Sequence, residues 1–144
     1  MSTTTRILEI IGIDKTSPSD SFKTASYQIV RQGLPISAFK QVADYYKLPE
    51  SQMASLVGTS KRTLERLQKE NKPLNLNWSD RLYRLARVAA IAEQVFESSS
   101  TALDWLKRPN RTLEGVAPIT LLDTDAGVEQ VSELLGRIEY GVYS

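Results

Sequence analysis

The sequence predicts an all-α protein, on three observations. Apolar residues recur three and four positions apart in almost every periodic segment. No window alternates apolar and polar residues strictly enough to argue a strand. Ser, Thr, Asp, Pro and Gly stand at the segment ends, where helices start and stop. With 144 residues, 41% hydrophobic and 24% charged, the chain has ordinary globular proportions. That length suits one compact domain or two small ones.

Taken in order, a short helix is expected over residues 5–11. Ser17-Pro-Ser-Asp20 reads as a turn and cap before an amphipathic run with Phe22, Ala25, Ile29 and Val30 on one side. Gly33 stands where a left-handed C-terminal residue is expected, and Pro35 at the first position of the next helix. That helix would bury Ile36, Phe39, Val42, Ala43 and Tyr46. Pro49 opens a helix from Glu50 to Val57, ended by Gly58. Thr59 or Ser60 caps another, reaching about Asn71. After a linker around Pro73, Ser79-Asp80 is expected to start the longest helix, with Leu82, Leu85, Ala89, Ala92 and Phe96 along one seam. The seam fits a core stripe or a dimer contact equally well. Ser98 to Thr101 caps a helix carrying Ala102, Trp105 and Leu106, which Pro109-Asn110 stops. A loop with Gly115 and Pro118 follows. Asp125 is expected to cap a last helix carrying Val128, Val131, Leu134, Leu135 and Ile138. The implied division is an N-terminal segment 1–19, a domain 20–77 and a domain 78–144.

The chain has no cysteine and no histidine. Disulfides, thiolate or imidazole metal sites, histidine-activated nucleophiles and a histidine pH switch are therefore excluded. No apolar stretch is long enough for a signal-peptide core or a membrane span, so a cytoplasmic protein without a membrane partner is expected. The net charge of +1 conceals an asymmetry: residues 1–77 sum to +4 and residues 78–144 to −3. Such a split points to a nucleic-acid-binding half and a half with another purpose.

Residues 50–69 carry the strongest chemical signal, a helix-turn-helix. Two short helices meeting at a large angle need a residue tolerant of positive φ, and Gly58 supplies it. Close approach needs a small residue one turn earlier, and Ala54 is there. Met53, Val57, Leu64 and Leu67 fill the apolar positions. Thr59 departs from the pattern, because an apolar residue is more usual after the glycine. Residues 60–72 carry a local charge of +3. In a DNA complex the start of the second helix would enter the major groove, with Lys61, Arg62 and Thr63 nearest the bases. Gln52, Thr59, Ser60 and Arg66 join them as candidate contacts, while Lys69 and Lys72 suit phosphates. The same residues also fit an ordinary solvated face.

Arg81, Arg84 and Arg87 continue the basic pattern three apart. They suit either phosphate contacts or a polar helix face. Ser37-Ala-Phe-Lys40 matches a nucleophile pattern but lacks the elements that accompany it. Asp123 to Gly127 begins like a calcium loop without its third ligand. No catalytic residue, metal site or cofactor is therefore expected, and the chain reads as a non-enzyme.

Two stretches remain, 102–122 and 127–144. Trp105-Leu106, Pro109-Asn110, Leu113 with Gly115, Pro118, and Ile138-Glu-Tyr-Gly141 stand in order along them. In that order and spacing they resemble the C-terminal domain of the Xre/MbcA/ParS antitoxin family. The N-terminal half resembles the Xre-like helix-turn-helix that accompanies it, so the resemblance covers about residues 20–144. It implies the antitoxin of a type II toxin–antitoxin pair. The implied partner is a RES-domain toxin, an enzyme that destroys NAD, and the antitoxin would cover its active-site entrance. Trp105, Glu139, Tyr140, Gly141, Val142, Tyr143 and Ser144 would touch the toxin. The helix-turn-helix would bind operator DNA and repress the operon, with a homodimer inside a larger complex. Independently, residues 112–144 carry a local charge of −5 and two aromatics near the end. This composition suits a partner with a basic cleft, although Tyr140 and Tyr143 also suit covering the domain's own core. The alternative function is a stand-alone repressor whose C-terminal half dimerises.

Overall fold

The computed structural model describes residues 3–13 and 22–141. The turn expected at Ser17 to Asp20 lies outside these residues, as do Val142, Tyr143, Ser144 and the side chains of Phe22 and Ala25. Eight α-helices form among the described residues: α1 (Thr3–Ile11), α2 (Phe22–Gln32), α3 (Ile36–Tyr46), α4 (Glu50–Val57), α5 (Lys61–Lys69), α6 (Leu76–Phe96), α7 (Ser99–Lys107) and α8 (Asp125–Glu139). Two 3-10 turns, Arg111–Leu113 and Pro118–Leu121, lie between α7 and α8. Among the described residues the only β pairing is an isolated bridge between Asn110 and Val116. The chain divides into two compact units, with the boundary between Arg87 and Val88 inside α6.

In the first unit α1 packs on α2 and α3, while α3 also meets α4 and α5. Leu8, Ile11, Phe39, Val42, Tyr46, Met53, Leu82 and Leu85 are buried together in its core. Each such apolar side chain contributes about 1.5–3 kcal/mol on leaving water. The buried Tyr46 hydroxyl donates to the Leu85 carbonyl at 2.7 Å, which anchors α3 to α6. Burial pushes the Tyr46 pKa well above its ordinary value, and the neighbouring Tyr45 adds to the shift.

Several helix ends differ from the expectation. Helix α6 starts at Leu76 rather than Ser79, because the Asn75 side chain accepts from the Trp78 N–H at 2.8 Å. Ser79 is instead wholly buried. Its hydroxyl accepts the Leu34 N–H at 2.8 Å and donates to the Leu74 carbonyl at 3.3 Å. With Leu74 N–H on the Leu34 carbonyl at 2.9 Å, this ties the 72–75 linker to the α2–α3 connection. Ser79→Ala is expected to cost about 1–3 kcal/mol in urea unfolding, because a buried N–H is left without a partner. Pro35 caps α3 from outside rather than opening it, and α5 ends at Lys69, two residues early.

The second unit is built on the 3-10 turn Pro118–Leu121, against which α7 and α8 both pack. Ser98 caps α7 by accepting from the Thr101 N–H at 3.2 Å. Asn110 closes the following loop, accepting from Thr112 N–H at 2.9 Å and donating its own N–H to the Val116 carbonyl at 3.0 Å. Thr124, not Asp125, caps α8 through the Gly127 N–H at 3.0 Å; a hydroxyl one residue earlier reaches the right N–H. Leu106, Val131, Leu134 and Leu135 are buried, and Phe96 and Trp105 rings meet at 5.6 Å. Among the described residues no helix is long and apolar enough to cross a membrane.

Candidate functional site

Helices α4 and α5 form the helix-turn-helix core, with Met53, Ala54, Val57, Leu64 and Leu67 all buried. The chain reverses at Gly58, whose φ of 90° suits a residue without a Cβ. Gly58 and Thr59 N–H groups both bond to the Ala54 carbonyl at 2.9 Å, closing the end of α4. Gly58 has a second reason to be small. The Arg81 guanidinium reaches across from α6 and donates to the Val57 carbonyl at 3.3 Å. A Cβ at position 58 would overlap that Arg81 Nη1. Arg81 thus braces the turn, a role that sequence spacing alone does not reveal.

Thr59 sits half-buried, with its Oγ1 sheltered from solvent and without a hydrogen-bond partner. The motif's usual apolar residue would leave no such group unpaired, so the hydroxyl is the departure. Thr59→Val keeps the shape and removes an unpaired polar group, so a gain of about 1 kcal/mol is expected. A thermal melt should show it as a rise of roughly 4–8 °C in Tm. Operator affinity should not change, because the Thr59 hydroxyl, a candidate DNA contact in the sequence, is sheltered from solvent.

Ser60 caps α5, accepting from the Thr63 N–H at 3.1 Å and donating to the Thr63 hydroxyl at 3.0 Å. Both side chains are therefore engaged in starting the helix. Beyond them Lys61, Arg62, Arg66 and Lys69 are exposed along α5, and Gln52 is exposed on α4. Arg66 pairs with Glu70 at 3.3 Å, and Lys72 pairs with the same carboxylate at 3.4 Å. These exposed pairs are weak, about 0–1 kcal/mol each, and do not hold the cations from another anion.

In the second unit, Trp105 is half-buried against Phe96 and presents part of its ring. Glu139, Tyr140 and Gly141 are exposed at the end of α8. Tyr140 is 79% exposed, so it does not cover the unit's own core. Asp125, Glu129 and Glu133, spaced four apart, are all exposed on α8. The sequence reading had the charge of this segment but missed that three of the carboxylates form one stripe; their spacing is the signal.

A model of the antitoxin Xre-like helix-turn-helix domain matches residues 25–87. A model of the antitoxin Xre/MbcA/ParS C-terminal toxin-binding domain matches residues 92–141. An Antitoxin Xre of Photorhabdus laumondii subsp. laumondii is 30% identical over 117 residues, which is 81% of this chain and 79% of that protein.

The chain belongs to the Xre antitoxin family.

An Antitoxin Xre of Pseudomonas putida is 39% identical over 80 residues, 56% of this chain. That match spans 50% of the Pseudomonas protein's length. A Prs ADP-ribosylating antitoxin of a Sphingobium species is 26% identical over 125 residues, 81% of this chain and 79% of that protein. In this Xre-family chain, then, the braced turn and α5 lie within the helix-turn-helix match. Trp105, Glu139, Tyr140 and Gly141 lie within the toxin-binding match.

Proposed function

We propose that this chain neutralises a RES-domain, NAD-degrading toxin by laying its C-terminal unit and tail over the active-site entrance. We also propose that it represses its own operon through α5, as a homodimer on a two-fold operator. The observation that carries the first part is the end of α8. There an exposed Tyr140 follows an acidic stripe inside a domain of the toxin-binding family. Like charges four apart cost a helix a few tenths of a kcal/mol per pair, and a partner of opposite charge would offset that cost. A cleft that holds a dinucleotide's phosphates with basic groups supplies one. Tyrosine is an effective anchor at such an interface, giving large contact area for little ordering cost. The second part rests on the exposed cations of α5 and on Gln52.

A second reading of the target comes from the Sphingobium relative, whose name couples an antitoxin with ADP-ribosylation of Prs. Both readings set an enzyme of NAD chemistry opposite the C-terminal unit. The alternative of a stand-alone repressor needs no such enzyme.

The test is co-expression with the toxin encoded beside it, reading growth, cellular NAD and ADP-ribosylated protein. The full chain should protect, and truncation after Ile138 should lower survival at least tenfold. Falling NAD favours degradation, whereas modified protein with NAD largely retained favours ADP-ribosylation. Full protection by the truncated chain would overturn the role of the tail, and a harmless neighbour would leave the repressor alone. Lys61→Ala with Arg62→Ala should keep protection yet weaken promoter binding by about 1–3 kcal/mol per base-contacting residue.

A further inference from the structure

The three arginines of α6 separate by role. Arg81 is committed to the Val57 carbonyl, whereas Arg84 and Arg87 line a cavity between α2 and α6. Tyr27 and Arg31 line it from α2, and Asp80 and Tyr83 join the two arginines on α6. Asp80, Tyr83, Arg84 and Arg87, three and four apart, share the α6 face that lines it, and Arg81 is drawn off by the Val57 carbonyl. Facing helix stripes usually close on each other with interdigitating apolar side chains. Here Ser26 and the buried Val30 stand beside Tyr27 and Arg31 on α2, opposite the polar face of α6, and a space of about 420 Å³ stays open between them. None of its lining residues belongs to α4 or α5.

The chemistry of the lining is specific. Among the described lining residues three guanidinium groups and one carboxylate come together, a positive balance in a concave place where the field is concentrated. Arg84, with a side chain only 19% exposed, pairs with Asp80 at 3.6 Å. The Arg31 guanidinium lies 5.1 Å from the centre of the Tyr27 ring, a cation–π arrangement that holds it in place. Guanidinium groups bind phosphate oxygens in pairs, and a tyrosine ring offers a stacking face. The volume is that of a small-molecule site, which runs from about 300 to 1,000 Å³. A duplex keeps its base faces stacked inside, whereas a free nucleotide offers ring and phosphates together.

We infer that the α2–α6 cavity binds a nucleoside polyphosphate, with its base against a tyrosine and its phosphates on Arg31, Arg84 and Arg87. Its lining residues are none of those proposed above to read DNA or touch the toxin, so its occupancy offers the protein a third input.

Isothermal titration of the full chain with ATP, ADP, adenosine and pyrophosphate tests this. ATP and ADP should bind saturably at one site per chain, with adenosine and pyrophosphate at least tenfold weaker. Arg87→Gln should weaken ADP binding at least tenfold while promoter binding persists, which shows the variant is folded. Should that variant fail to fold, Arg31→Gln on the exposed side of α2 repeats the measurement. Lys61→Ala with Arg62→Ala should leave ADP binding unchanged. The inference is overturned if neither ATP nor ADP binds saturably, or if the α5 variant loses binding that Arg87→Gln retains. Pyrophosphate binding as tightly as ADP would overturn the nucleoside assignment.

Discussion

Gly127→Ala is expected to destabilise the C-terminal unit strongly. Gly127 is buried at the start of α8, where its N–H meets the Thr124 hydroxyl at 3.0 Å. A Cβ there would overlap the Leu121 carbonyl oxygen and lie 2.7 Å from the carbonyl carbon. Both are backbone atoms of the 3-10 turn on which α7 and α8 pack, so neither can rotate aside. Overpacking a core commonly costs about 1–3 kcal/mol, and a backbone overlap belongs at the top of that range or above it. A domain has only about 5–15 kcal/mol in all. Urea unfolding followed by Trp105 fluorescence, with Trp78 replaced by Phe, should show a loss of about 3 kcal/mol or more. Gly136→Ala is the control. It sits in the last turn of the same helix with nothing within 4 Å of the new methyl, and a gain of up to about 1 kcal/mol is expected. If Gly127→Ala costs less than Gly136→Ala gains, α8 is not seated on Leu121 as described.

Gly58→Ala is expected to damage the helix-turn-helix by two separable routes. At φ 90° an L side chain is strained, at a cost of order 1–2 kcal/mol. The new methyl also displaces the Arg81 guanidinium, whose charged hydrogen bond to Val57 contributes about 1.5–3 kcal/mol. The arginine is flexible and will swing away, so the second cost is the lost bond rather than a standing clash. In an Arg81→Ala background that bond is already gone, and Gly58→Ala should then cost only the backbone strain. A double-mutant cycle on unfolding free energies reads the difference directly. Strict additivity would show that Arg81 does not brace the turn. Because the turn fixes the angle of α5, promoter binding should fall with stability in the single variants.

The helix-turn-helix was legible because its rules are local. Ala54, Gly58, Leu64 and Leu67 lie within 14 residues, and each is burdened by a neighbour's geometry. Likewise the apolar spacing in α3 and α8 named the buried residues, since a helix face follows from periodicity. What escaped depends on partners far along the chain. Ser79 beside Asp80 looks like a cap, but its hydroxyl belongs to Leu34, 45 residues earlier. The Arg81, Arg84 and Arg87 spacing reads as one stripe, yet Val57 claims the first and the α2–α6 cavity the others. Asn75 and Thr124 were missed as caps for a smaller reason. Thr124 and Asp125 stand side by side and Asn75 precedes Ser79 by one helical turn, and only backbone geometry chooses between them. For the surface residues the spacing indicates which share a face, as with Asp125, Glu129 and Glu133. What they touch is a matter for the partner.

The Arg81 brace bears on how such a module travels between proteins. Residues 50–69 look like a self-contained cassette that could be cut from one regulator and grafted into another. In this chain the cassette is finished by an arginine that lies outside it, 24 residues beyond the carbonyl it binds. A graft that stops at Lys69 would carry the glycine and leave its brace behind. A transferable piece of this fold must therefore run at least from Pro49 through Arg81, linker included.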